Sequence, residues 1–190
     1  VVIQEGQEKS SLRPNDLYFK EFLSVNDQFE SVIQEPDETI TVLFSSGTTG
    51  EPKAIPWTHS TPIKCASDGY YHHNIQKDDV VCWPTNLGWM MGPWLIFASL
   101  INKATVALYY GAPMGIEFGS FVQDAEVNML GVVPSIVRQW KNTGTMEAFD
   151  WSKINCFSST GEASNPEEMK YLMQLGNNKP IIEYCGGTEI

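Results

Sequence analysis

Short β-branched and apolar runs alternate along this chain with helical segments of about 10–15 residues, and that alternation restricts the fold more than any other feature. Asp79–Trp83, Ala104–Tyr109, Asn128–Val133, Ile154–Phe157 and Pro180–Tyr184 read as strands. Between them, Ser60–Asn74, Gly88–Ile101, Ile116–Ala125, Pro134–Thr143 and residues 166–175 read as helices. The helix at 166 has the fullest local signals: Asn165 to cap it, Pro166 at its first position, Glu168 to close a capping box and Gly176 to end it. Met169, Leu172 and Met173 form its apolar stripe. Strands separated by helices in this way predict an α/β fold with a mostly parallel sheet flanked by helices. Residues 1–38 form an irregular or helical lead-in, in which Leu17, Phe19, Phe22 and Leu23 suit a short helix. Residues 39–190 form the α/β core.

Charge and cysteine usage exclude several classes. Asp and Glu outnumber Lys and Arg by 23 to 12, a net charge of -11, so no basic footprint for nucleic acid exists. An anionic ligand would need local compensation. The four cysteines, Cys65, Cys82, Cys156 and Cys185, form no CxxC pair, and Cys82 and Cys156 sit in apolar runs. They read as reduced structural thiols of an intracellular protein. With three histidines and no cysteine pair, a structural zinc site is not expected. Val80–Asn102 carries no charged residue, but Pro84, Asn86, Gly88, Gly92 and Pro93 break it into pieces shorter than the roughly 20 residues a membrane span needs.

The stretch SSGTTGEPK, Ser45–Lys53, lies between two extended segments, ETITVLF and AIPWTH. It is not a Walker loop. Counting from Gly47, the second glycine of that pattern falls on Pro52, and Ala54 rather than Ser or Thr follows Lys53. Two readings stay open from composition: an ordinary hairpin turn, or a loop whose N–H groups and hydroxyls converge on anionic oxygens.

SSGTTGEPK resembles the signature loop of the adenylate-forming enzymes, the superfamily of acyl-CoA synthetases, adenylation domains and firefly luciferase. Further segments follow in that family's order. WTHS (57–60) resembles its T-H pair, and TNLGWMMGPW (85–94) resembles a D-x-G-W-x-x-G segment, with Asn86 in the acidic place. VVPSIVRQW (132–140) resembles the P-[ST]-x-x-[RK] helix start, STGEASNPE (159–167) a G-E-P segment, with Ala163 replacing the proline, and GGTE (186–189) the Y-G-x-T-E motif. Within the family, the likeness is to the plant acyl-activating enzymes of the acetyl-CoA synthetase-like branch, some of them peroxisomal.

The resemblance implies part of the N-terminal domain of an enzyme that activates a carboxylic acid with ATP and passes it to coenzyme A. Residues 39–190 would be a nucleotide-binding core cut short at its C-terminus, inactive without the missing C-terminal domain. A carrier-protein-loading domain and a catalytically silent nucleotide-binding module remain alternatives. By the same resemblance, Ser46, Gly47, Thr48, Thr49, Gly50 and Lys53 hold the phosphates of ATP. Gly161, Glu162 and Ala163 lie against the adenine, and Gly187 and Thr188 complete the nucleotide site. Thr188 offers a hydroxyl to phosphate, and Glu189 is a hard oxygen ligand suited to Mg2+. Lys53, Thr188 and Glu189 are the residues expected to act in catalysis, through positioning and charge neutralisation.

Trp89 and Gly186 are the expected acid contacts. Gly186 stands where acetyl-CoA synthetase carries a pocket-closing tryptophan, so an acid larger than acetate is expected: medium-chain, long-chain or aryl-alkyl. Cys185 takes the place of a common aromatic, and Tyr184 comes one position early for stacking on adenine. By spacing, Trp89, Met90, Met91 and Trp94 read mainly as core, Arg138 as a solvated helix residue, and His72 and His73 as surface residues.

Overall fold

The computed structural model describes residues 11–46 and 50–188. The sheet of the α/β core is β3 (Val80–Cys82), β4 (Thr105–Ala107), β5 (Met129–Val132), β6 (Cys156–Ser159) and β7 (Ile181–Glu183), in the spatial order β4-β3-β5-β6-β7. All four pairings are parallel. Between them run α3 (Met91–Ile101), α4 (Ile116–Asp124), α5 (Pro134–Thr143) and α6 (Pro166–Leu175), with α2 (Ser60–His72) ahead of β3. Each expected strand and helix exists; α5 and α6 keep their expected bounds, most others are trimmed at their ends, and the strand expected at Ile154–Phe157 runs instead from Cys156 to Ser159. The helix expected from Gly88 begins at Met91 because Asn86 Oδ1 accepts from the Gly88 N–H (2.8 Å), and a turn closed by the Trp89 N–H on the Asn86 carbonyl precedes the first helical residue.

Alternation along the strands sorts side chains to two faces. Cys82, Leu130, Val132 and Phe157 pack with Phe118, Val137, Trp140 and Leu172 of α4, α5 and α6. Val81 and Met129 point the other way, into a cluster with Cys65 of α2 and Trp94, Leu95 and Ala98 of α3. Gly131 of β5 lies beneath the Trp83 indole, and a Cβ there would stand 1.9 Å from the ring. Gly92 serves a similar close approach, to the backbone of Leu87.

Ahead of the sheet, β1 (Thr39–Ser45) and β2 (Lys53–Thr58) form an antiparallel pair whose register ends at Ser45 opposite Lys53. Pro56 fits because β2 pairs on one side only among the described residues. The chain divides into two compact units, the second beginning at Glu35. In the first, which ends at Gln34, α1 (Phe19–Phe22) makes one helical turn and Arg13 pairs with Asp16 at 2.9 Å.

Four expectations are corrected. His73 is buried (1% exposed), because it ends α2 against the sheet and its ring meets Trp94 and Tyr184. Glu168 does not close a capping box. Asn165 Oδ1 accepts from the Glu167 N–H, while the buried Glu168 carboxylate pairs with Arg138 Nε at 2.6 Å. Arg138 is thus half of a structural pair between α5 and α6, not merely solvated. Finally, Trp89 is not core: it is 71% exposed, whereas Met91 and Trp94 are buried.

Candidate functional site

In an open parallel sheet, ligands bind beyond the carboxyl ends of the strands, at the point where the strand order reverses. Here β3 leads outward to β4, and the chain then crosses to β5 on the other side of β3. The reversal lies between β3 and β5, and three cavities cluster around the loops at this edge.

The first, about 440 Å3, is bounded by the loop after β6 (Thr160–Ser164) and by Glu183–Gly186 at the end of β7. Its frame is built from polar contacts. Thr160 Oγ1 donates to the Tyr184 carbonyl, and Ser164 Oγ donates to Glu183 Oε2 at 2.8 Å. The Glu162 carboxylate reaches across to α5, accepting from the N–H and Oγ of Ser135 at 2.9 Å each. A carboxylate at a helix N-terminus satisfies an otherwise unpaired N–H and complements the helix dipole. This contact fixes the loop while leaving its backbone open to the cavity. Gly161 has φ +88, a conformation suited to glycine.

The second cavity, about 480 Å3, lies between β2, α2, the start of α3 and the loop after β7. Ile55, Trp57, Cys65, Met90 and Trp94 supply an apolar wall, and Thr188 reaches it from the loop. Tyr184 and Cys185 line both the first and the second cavity. The third, about 680 Å3, is aromatic: Trp83, Trp89, Tyr109 and Tyr110 line it, together with Asn86 and with Thr160 and Gly161 of the first cavity.

Tyr184 is held from behind. Its ring lies 5.9 Å from that of His73 and 6.1 Å from that of Trp94, in a tilted aromatic cluster. His73 Nε2 is 3.0 Å from Ser158 Oγ, which donates to the Ile182 carbonyl, and His73 Nδ1 is 3.3 Å from the Asp68 carbonyl. Burial pushes the His73 pKa below its ordinary value, so the ring is neutral and donates at one nitrogen only. Burial likewise raises the Tyr184 phenol.

The expected site residues divide by position. Gly161, Glu162, Ala163 and Gly186 come together around the first cavity, Thr188 lies on the second and Trp89 on the third. Gly187 follows Gly186 on the same loop, partly exposed. Lys53 and Ser46 stand at the end of the β1–β2 pair where the chain passes from one strand to the other, and Gly50 turns there with φ +99. Gly47, Thr48, Thr49 and Glu189 lie outside the described residues. A Cβ at Gly186 would meet the Tyr184 ring at 3.0–3.2 Å, so the tyrosine fills the space beside that glycine. The ring therefore packs toward α2 and α3, while the exposed Cys185 borders the first cavity. Sequence reading missed His73, Ser158, Lys64 and Asp68 around these cavities. The His-His pair ending an amphipathic helix was the one available signal, and it does not say which ring faces inward.

Among the described residues no group of three or more His, Cys, Asp or Glu side chains is placed to hold a metal ion, and no helix is long and apolar enough to cross a membrane.

Comparison with known proteins gives a consistent answer. The family profile described as AMP-binding enzyme matches residues 2–190. The chain is 57% identical over 186 residues to the hexanoyl-CoA synthase of Cannabis sativa, covering 95% of this chain and 26% of that protein. It is 55% identical over 187 residues to a probable peroxisomal acyl-activating enzyme, number 17, of Arabidopsis thaliana, covering 96% of this chain and 26% of that one. The acetoacetyl-CoA synthetase of Streptomyces lividans superposes with a TM-score of 0.82 at 26% identity, over 94% of this chain and 29% of that structure. The chain thus spans about a quarter of the length of the curated relatives it matches.

Proposed function

The chain belongs to the AMP-binding enzyme family, and we propose that the longer protein containing it activates a carboxylic acid with ATP and transfers the acyl group to coenzyme A. In the first step a carboxylate oxygen of the acid bonds to the α-phosphorus of ATP. The bond from that phosphorus to the bridging oxygen breaks, and pyrophosphate leaves. In the second, the coenzyme A thiol attacks the acyl carbon, its proton is lost to solvent and AMP leaves. The observation that carries this reading is the pair of cavities that share Tyr184 and Cys185 at the carboxyl edge of the sheet. One is framed by the loops that follow β6 and β7, the other is walled by Ile55, Trp57, Met90 and Trp94.

In this reading the adenine occupies the first cavity against Gly161, Glu162 and Ala163, with Gly187 beside it. The phosphates extend toward the loop of Ser46, Gly47, Thr48, Thr49, Gly50 and Lys53, and toward Thr188. The nucleophile is the acid itself, so these groups orient the reactants and neutralise charge on the departing pyrophosphate. Glu189 supplies the hard carboxylate oxygen that Mg2+ carried by the nucleotide would meet. The chain of the acid lies in the second cavity, and Trp89 and Gly186, the chain neighbours of its lining residues Met90 and Cys185, are the substrate contacts beside it. The name of the Cannabis relative supports a medium-chain acid, and that of the Arabidopsis relative a peroxisomal location. The thioester step requires the C-terminal domain of the longer protein.

The test is acid-dependent ATP–pyrophosphate exchange by the full-length protein. Exchange is expected with aliphatic or aryl-alkyl acids, and Lys53→Ala should reduce it. Nucleotide binding without exchange for any acid in such a series would overturn the proposal and leave a silent nucleotide-binding module.

A further inference from the structure

The apolar wall of the second cavity changes character on its α2 side. Lys64 and Asp68, one helical turn apart, both line the cavity and pair with each other there. The Asp68 side chain is only 17% exposed, whereas that of Lys64 is 71% exposed. A largely sheltered carboxylate therefore stands in the same cavity as Trp57, Met90 and Trp94. Its place is set by tight helix packing. A Cβ at the next residue, Gly69, would stand 3.0 Å from Ala98 Cβ and 3.1 Å from Ile75, so α2 and α3 are in close contact at this level. The Asp68 carbonyl also accepts from the His73 N–H, and His72 Nε2 lies 3.9 Å from its carboxylate.

Resting on the proposed function, we infer that the Lys64–Asp68 ion pair is the length stop of the acyl cavity, which suits it to unbranched acids of medium length. Each methylene laid along Ile55, Trp57, Met90 and Trp94 leaves water for an apolar wall, a gain of about four-fold in kcat/KM. A methylene pressed onto the pair instead strips water from the sheltered Asp68 carboxylate and from the ammonium that neutralises it. Desolvating charge costs more than burying one further methylene returns. The series therefore climbs with chain length and breaks where the chain reaches the pair.

The experiment measures acid-dependent pyrophosphate release by the full-length protein for straight-chain acids from acetate to dodecanoate. The wild type is expected to rise and then fall. In the double variant Lys64→Leu/Asp68→Leu, the first acid past the wild-type break should turn from a loss into a gain of about four-fold. Asp68→Asn keeps the side-chain volume and removes the carboxylate charge, and should shift the break in the same direction by less. A folded Asp68→Asn protein with the wild-type chain-length profile would overturn the inference. So would a wild type whose rates rise through the series without a break. If the wild type releases no pyrophosphate with any acid, the proposed function fails first and this inference falls with it.

Discussion

Replacing Gly131 by alanine tests how the floor beneath the third cavity is built. A methyl at this position would lie 1.9 Å from Trp83 Cδ2, 2.2 Å from Cε3 and 2.5 Å from Cε2. Carbon atoms settle at about 3.5 Å, so the indole must retreat by about 1.6 Å. It has two ways to go. One is toward Trp94, whose ring centroid is already 5.6 Å away; the other is out into the cavity that Trp83 lines. Either movement disturbs a side chain that is now buried, and overpacking of this kind costs about 1–3 kcal/mol. Alanine also narrows the unfolded ensemble, which returns about 0.4–1 kcal/mol. A displacement of about 1.6 Å belongs at the upper end of that cost, so the net expectation is a loss of about 2 kcal/mol, or a Tm lowered by about 4–8 °C for a chain of this size. Urea unfolding followed by tryptophan fluorescence reads the difference. Combining Gly131→Ala with Trp83→Leu, which makes room for the methyl, should recover about 1–2 kcal/mol relative to additivity. Gly131→Ala as stable as the wild type, or an additive cycle, would show that the indole does not rest on this glycine.

Two further outcomes follow from the buried titratable groups. Because burial lowers the His73 pKa, the unfolded chain takes up the proton first, near pH 6.5. The contribution of His73 is complete above that pH and is lost as pH falls toward the folded pKa. His73→Asn should flatten this part of the stability–pH curve, and an unchanged slope would count against a neutral ring. Burial also holds the thiols of Cys65, Cys82 and Cys156 at about 11, 12 and 11, whereas Cys185 is exposed. A thiol reagent at neutral pH should therefore modify one cysteine quickly in the native protein and all four after unfolding, with Cys185→Ser removing the fast phase.

The order of strands and helices was readable from the chain because each element carries its own local signals. Pro134 and Pro166 open α5 and α6, Gly144 and Gly176 close them, and apolar runs mark the strands. The site loops were readable for a related reason. In a parallel α/β fold the residues after each strand must lie at the carboxyl edge, and Thr160–Ala163 and Tyr184–Thr188 are such residues. What failed were assignments settled by partners distant in sequence. Glu168 has the spacing for a capping box, but Arg138, 30 residues earlier, supplies a stronger charge-assisted bond. Trp89 has a core residue's chemistry, yet the turns anchored by Asn86 place it outward, before α3 begins.

The sequence by itself determined the α/β class, the element order and the loops that border the site, since these rest on local pattern and spacing, and it carried the family through the resemblance of its motifs. Only the tertiary structure decided that His73 is buried, that Tyr184 turns toward α2 and α3, and that Lys64 and Asp68 border an apolar cavity. Those outcomes depend on α2 and α3 meeting at Gly69 and on β6 presenting Ser158 to a histidine 85 residues away. Burial and charge pairing are properties of the packed whole, and no local spacing encodes them.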